Sequence, residues 1–254
     1  MSTPVQAVAE ALVAAHRQRR TVAAAPFESL LQEAGQAYAV QEEVARAMRW
    51  FDRPVPQHWK SGGPSRTATL THAGLPPQHV WASPADASGT HFNWRLIEAE
   101  VAVRLARDVS PADVQAFDPA TTAQWLDGMT VSIEIVDSRW ENRTANALLK
   151  LGDQQSHGAL VLGSWRPFEA RDWAQQACTV QVGAAAPRSF RGTYALGDPV
   201  WLLPTWLRHA TRHGATVPKG TVITTGTWCG MLEAKRGDKV KAVFEGIAEA
   251  EVQL

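Results

Sequence analysis

Cysteine is almost missing from this 254-residue chain: Cys178 and Cys229 stand far apart, in no metal-ligand spacing. That suits free thiols in a reducing compartment, so a cytoplasmic protein is expected. Excess charge of either sign is missing as well. Lys plus Arg and Asp plus Glu balance at 25 each, so nothing in the overall charge draws the chain to nucleic acid or a membrane surface. No run of about 18 apolar residues occurs and the N-terminus lacks a long apolar segment, so neither a membrane span nor secretion is expected. No internal repeat, heptad run or low-complexity tract is present. The expected partner is therefore a small molecule, and the length allows one good-sized core or a small part joined to a larger one.

Tryptophan, by contrast, is abundant, with eleven residues read as core or interface anchors without a catalytic part. Thr3 as N-cap and Pro4 at the first helical position open a helix that continues through Val5, Val8, Leu12 and Val13. Arg17, Arg19 and Arg20 near its end suit the helix dipole better than a binding patch. A second helix is expected over about Ser29 to Ala34, and a third after Gly35 through Val40 and Val44 to Phe51. Pro54 and Pro56 end the helical pattern. From His58 to Asn93 the composition turns to Gly, Pro, Ser, Thr and His, a loop-rich connector with short strands that suits a site lining or lid. Ser110-Pro111-Ala112-Asp113 reads as a helix start, and a further helix is expected over about Thr121 to Leu126. An amphipathic helix is expected from Pro199 to His213, with Gly214 as its stop. Strands are expected at Gly158 to Gly163, Cys178 to Val182, Val222 to Thr227, Lys239 to Phe244 and Ala250 to Leu254. Many short strands with Gly, Pro and Asp turns suggest a mixed β-barrel or rolled sheet with few helices.

Two stretches carry the chemistry. In Ile97 to Leu105 a strand period of two puts Glu98 and Glu100 on one face and Ile97, Ala99, Val101 and Val103 on the other. Taken alone, such a face is more often solvated than functional. In Met129 to Asp137 the same period sets Val131, Ile133 and Ile135 against Glu134. Three carboxylates on two strands make an all-oxygen site suited to Mg²⁺ or Mn²⁺ rather than Zn²⁺. Without an ion, the three charges would raise one another's pKa. Ser65 with His72 offers a nucleophile and base in principle, but no nucleophile-elbow pattern surrounds them. His58, His72, His79 and His157 are candidate bases, while His16, His209 and His213 read as surface or packing residues. Asp137 and Arg139 are expected to pair or to steady the nearby glutamate.

Ile97 to Asp108, Ser132 to Arg139, Thr225-Gly226-Thr227-Trp228-Cys229-Gly230-Met231 with Gly237-Asp238, Ala37 to Gln41, and Trp59-Lys60 together resemble the 2-keto-4-pentenoate hydratase and 4-oxalocrotonate decarboxylase branch of the fumarylacetoacetate hydrolase family. The likeness spans nearly the whole chain. It implies an α+β fold, with a small helical N-terminal region (1–57) packed on a C-terminal mixed β-barrel or roll (58–254) that carries the site. It also implies that Glu98, Glu100 and Glu134 are ligands of Mg²⁺ or Mn²⁺, that Lys60 and Glu98 are catalytic, and that Ser61 and Thr227 contact substrate. A lowered pKa is expected for Lys60 if it is partly buried near the metal.

The implied activity is that of a lyase on a small 2-oxo or 2-hydroxydienoic acid, as a hydratase or alternatively a 4-oxalocrotonate-like decarboxylase. Cleavage of acylpyruvates and a non-catalytic role as assembly partner stay open. A homo-oligomer is implied, with a complex with another enzyme of its pathway also open. The chain departs from the branch in Asp153-Gln154-Gln155-Ser156-His157, where an Asp-Asn-Ala-Ser-Ser-like loop is usual, and in Lys60-Ser61-Gly62-Gly63. An upstream acid of the branch has only Asp86 as a candidate.

Overall fold

A computed structural model describes residues 2–116, 121, 124–141, 143 and 145–254. Helix α1 spans Pro4–Gln18 and begins on a capping box in which Thr3 and Gln6 satisfy each other's backbone donors. Helix α2 is Ala34–Met48. The two helices expected around Gly35 are therefore one: Ser29 precedes the helix and Gly35 sits in its first turn, where a flexible residue interrupts nothing. Both helices end on an arginine in the left-handed conformation, Arg19 and Arg49.

The connector contains four short strands, β1 (His58–Gly62), β2 (Thr71–Gly74), β3 (Val80–Ala82) and β4 (Ala85–Asp86). The long central strands are β5 (Leu96–Leu105) and β6 (Leu126–Val136), with helix α3 (Pro111–Gln115) between them and helix α4 (Ala147–Gly152) after them. The helix expected over 121–126 lies partly outside the described residues, and Leu126 itself opens β6. Then follow β7 (His157–Leu162), β8 (Ala177–Val182), β9 (Arg188–Arg191), helix α5 (Leu203–Ala210), β10 (Val222–Thr227), β11 (Leu232–Glu233), β12 (Lys239–Phe244) and β13 (Ala248–Gln253). Helix α5 is shorter than the sequence spacing suggests, because residues 199–202 form turns.

Two sheets carry the fold. One runs β2-β1-β10-β5-β6-β7-β3, with β11 also paired to β5; the other runs β4-β13-β12-β8-β9. Residues of one face of β5 and β6, Ile97, Ala99, Val101, Val131, Ile133 and Ile135, share a buried cluster with Val240, Ala242 and Phe244 of β12 and Val252 of β13. The sheets thus stack through their apolar faces, which leaves the opposite face of β5 and β6 free to carry carboxylates. A second cluster joins Val8 and Leu12 of α1, Val40 and Val44 of α2, Leu149 of α4 and Trp140. Trp140, Trp206 and Trp228 are fully buried, as expected of anchors. Cys178 and Cys229 are free and buried. No helix among the described residues is long and apolar enough to cross a membrane.

Candidate active site

Antiparallel pairing of β5 and β6 places Glu98 opposite Glu134 and Glu100 opposite Ser132. One carboxylate oxygen from each of Glu98, Glu100 and Glu134 lies within 4.8 Å of the others. Glu100 and Glu134 are buried, at 2% and 0% exposure. Burial first, then the charges of Glu100 and Glu134, push Glu98 up to about 8 against the pull of Lys60. Glu100 is pushed up to about 7 by burial and by Glu134, although Lys60, the Thr224 hydroxyl and the Gly226 amide act against this.

Strand β10 supplies the fixed donors to Glu100. It breaks register between Thr224 and Thr227. Gly226 there takes φ 108°, a conformation that only glycine adopts without strain. Its N–H donates to Glu100 Oε2 at 2.9 Å, beside the Thr224 hydroxyl on the same oxygen. Ser132 binds the Thr224 hydroxyl in turn at 2.7 Å.

Lys60 reaches the cluster from β1. Its Nζ donates to Glu134 Oε1 at 2.5 Å and to the Gln155 carbonyl at 3.2 Å. Burial lowers its pKa, but the charges of Glu134, Glu98 and Glu100 together outweigh burial and raise it; the lowering expected beside a metal concerns the loaded site, where a cation offsets those charges. For Glu134, Lys60 and His157 likewise outweigh burial and hold the carboxyl low. His157 is buried and its pKa is lowered to about 4, chiefly by burial, so the neutral ring donates from Nδ1 to Glu134 Oε1 at 3.2 Å. Glu134 Oε2 and His157 Nε2 are buried without partners.

The Gln155 carbonyl is set by an uncommon backbone. Gln154, Gln155 and Ser156 all have positive φ, at 44°, 54° and 57°, and such strained runs persist only where their surroundings hold them. Arg139 does much of the holding: Nε donates to Asp153 Oδ1 at 2.5 Å and Nη1 to the His157 carbonyl at 2.8 Å. The expected pair of Arg139 with Asp137 is present, at 3.9 Å, but the shorter contact of Arg139 is to Asp153. Asp137 also accepts from the Trp94 N–H at 2.6 Å.

A cavity of about 460 Å³ opens on the cluster, lined by Lys60, Thr71, Glu98, Glu100, Gln155 and Thr227, with Leu96, Val136, Leu151 and Met231 as apolar wall. Thr227 binds the Gly230 carbonyl at 3.0 Å. Ser61 also borders the cavity, but its hydroxyl is engaged by His72 Nδ1 at 2.8 Å, since Ser61 and His72 are cross-strand partners on the β1–β2 pair. Ser65 instead contacts Thr67. Asp86 is exposed on β4, does not line this cavity and accepts from Ser88. Sequence reasoning missed Thr224 and the Gln155 carbonyl, because strand register and a left-handed backbone leave no residue-type signal.

Fold and geometry together define a curled mixed sheet that carries a cluster of three carboxylates able to hold a cation. The chain belongs to the fumarylacetoacetate (FAA) hydrolase C-terminal family, whose sequence profile matches residues 35–254. It is 27% identical to 2-keto-4-pentenoate hydratase 1 of Dechloromonas aromatica (strain RCB) over 95% of this chain and 94% of that one. It is 26% identical to 2-hydroxyhexa-2,4-dienoate hydratase of Comamonas testosteroni over 62% of this chain and 59% of that one. In fold it is similar to 4-oxalocrotonate decarboxylase from Pseudomonas putida G7, complexed with magnesium and adipate: TM-score 0.80, 19% identity, 98% of this chain and 96% of that one.

Proposed function

We propose that this chain is a divalent-metal-dependent lyase acting on a small 2-oxo or 2-hydroxydienoic acid, as a hydratase that adds water to a 2-hydroxypenta-2,4-dienoate-like substrate. The observation that carries the reading is the convergence of Glu98, Glu100 and Glu134 beside Lys60 at the base of a cavity sized for a small acid. The hydratase matched over nearly its whole length supports the reaction class.

Three carboxylates with an unpartnered buried oxygen on Glu134 fit an all-oxygen cation such as Mg²⁺ or Mn²⁺. When bound, the ion supplies an anchor for the acid and charge to stabilise negative charge at its C2 oxygen. The chain's own residues do the rest. Lys60 holds a proton between Glu134 and the Gln155 carbonyl, within the cavity, and passes it to or from the substrate carbon chain. Arg139 and the Gly226 amide fix the groups around it. Leu96, Val136 and Met231 offer the diene an apolar wall. Ser61 and Thr227 stand at the substrate's edge of the cavity, and the family likeness supports a helical 1–57 region seated on 58–254 and a homo-oligomeric assembly.

One observation favours decarboxylation as a second reading. Lys150 lines the cavity and makes no ion pair among the described residues, and Arg143, paired with Glu233 at 3.0 Å, lines it beside Lys150, so a cation is at hand for the far carboxylate of a diacid. The test is product analysis on the metal-loaded protein given 2-hydroxypenta-2,4-dienoate and 2-oxo-hex-3-enedioate. A hydroxy-oxo acid establishes the hydratase, CO₂ release the decarboxylase, and absence of both with metal bound overturns the lyase reading.

A further inference from the structure

The β1–β2 pair has a cavity on each side. Lys60 and Thr71 line the metal-side cavity, whereas Trp59 and Gly74, on the alternate positions, line a separate one of about 480 Å³ between α2, α5 and the 51–56 loop. The left-handed turn is divided in the same way: Gln155 lines the first cavity and Gln154 the second. Two adjacent pairs, Trp59-Lys60 and Gln154-Gln155, thus form a common wall.

The second cavity is built for an amphipathic acid. Its sides are apolar, with Phe51, Pro54, Pro56, Trp59 and Ala210. Arg46, Arg49 and Arg212 line it against a single carboxylate, Glu42. Arg46 pairs with Glu43, and Arg212 is shared with Glu42 at 2.5 Å. Arg49, exposed, makes no ion pair among the described residues. At the inner wall Gln154 is only 3% exposed. Its Nε2 donates to the Gln41 carbonyl at 3.3 Å, which fixes the amide's orientation and leaves Oε1 buried without a partner. An unsatisfied buried acceptor costs stability unless a donor arrives.

We propose that this cavity is a second, non-catalytic binding site for an aryl-sized hydroxy acid, with its carboxylate at Arg49 and Arg212, its apolar body between Trp59 and Phe51, and its hydroxyl donating to Gln154. Occupancy bears on Lys60 through the shared wall, a coupling that rests on the catalytic reading of the metal-side cavity. The binding site itself does not.

The test titrates the Mg²⁺-loaded full chain with 4-hydroxybenzoate by calorimetry, with benzoate and 4-hydroxybenzamide as probes that lack the hydroxyl or the charge. Saturable binding is expected, weaker by about tenfold for either control probe. It should persist in EDTA and in Glu98→Gln and be lost in Ala45→Trp, which fills the cavity from α2, and in Arg49→Glu. No binding to the wild type, loss of binding in Glu98→Gln, or binding that survives both cavity variants would overturn the proposal. In the lyase assay, saturating 4-hydroxybenzoate should change kcat or KM at least about twofold in the wild type and not in Ala45→Trp. An unchanged rate in an active enzyme overturns the coupling, and an inactive enzyme points to failure of the lyase reading while calorimetry still decides the site.

Discussion

Glu98 stands directly opposite Glu134 in the antiparallel ladder of β5 and β6. Like charges at facing positions destabilise a sheet, so the pair is a cost the fold carries for its site. Lys60 opposes it at all three carboxylates, but only at Glu134, which it contacts directly and His157 joins, does the opposition outweigh burial, so Glu98 and Glu100 stay raised.

That cost has a signed pH dependence in EDTA-treated protein. The folded state holds a proton on Glu98 up to about 8, whereas the ordinary value is 4.5. The folded state therefore binds more protons in between, and stability present at low pH is lost as pH rises through about 8. Glu98→Gln should flatten this decline. Above that pH it should unfold about 2–4 °C higher than the wild type, equivalent to about 1 kcal/mol. Thermal unfolding across pH in EDTA reads both.

Metal binding should release protons. A cation that binds the carboxylates must displace protons held up to about 8 and about 7. Affinity for Mg²⁺ should fall as pH drops through that range. Calorimetry in buffers of different ionisation enthalpy counts the protons released, and a pH-independent affinity would contradict the assignment.

Lys60→Met should keep the carboxylates and the metal but lose turnover by about 10²-fold or more. Metal titration and steady-state rates on the same preparation separate the two effects. Undiminished turnover would remove Lys60 from the chemistry.

Arg139 acts through the turn it holds. Arg139→Met leaves Asp153 buried, with side-chain exposure of 0%, and without its cation, although the Ser138 hydroxyl and the residue-139 N–H still donate to it, a loss of about 3 kcal/mol. Denaturant unfolding measures it. Turnover should drop as well, because the Gln155 carbonyl beneath Lys60 loses its anchor.

Much of the site was legible because a strand's period of two is a local property. The segregation of Glu98 and Glu100 from Ile97 and Val101, and of Glu134 from Ile133, follows from spacing alone, and the apolar halves do enter the core. Thr3-Pro4 and Ser110-Pro111 announced their helices because caps are short-range chemistry. Gly35 misled, since a glycine in a first helical turn costs too little to end the helix when Ala37, Val40 and Val44 are buried beyond it. The Lys60 pKa could not be signed from sequence, as burial and three carboxylates oppose each other and only distances decide. The pairing of Arg139 with Asp153 across 14 residues and the left-handed run after it are likewise tertiary facts.

The most direct measurement is the ultraviolet absorbance of 2-hydroxypenta-2,4-dienoate with purified protein, first in EDTA and then with Mg²⁺ restored. The account predicts a stable chromophore in EDTA, metal-dependent loss on restoration, and no loss for Glu98→Ala. Loss of the chromophore at the same rate in EDTA, or in Glu98→Ala, would contradict it.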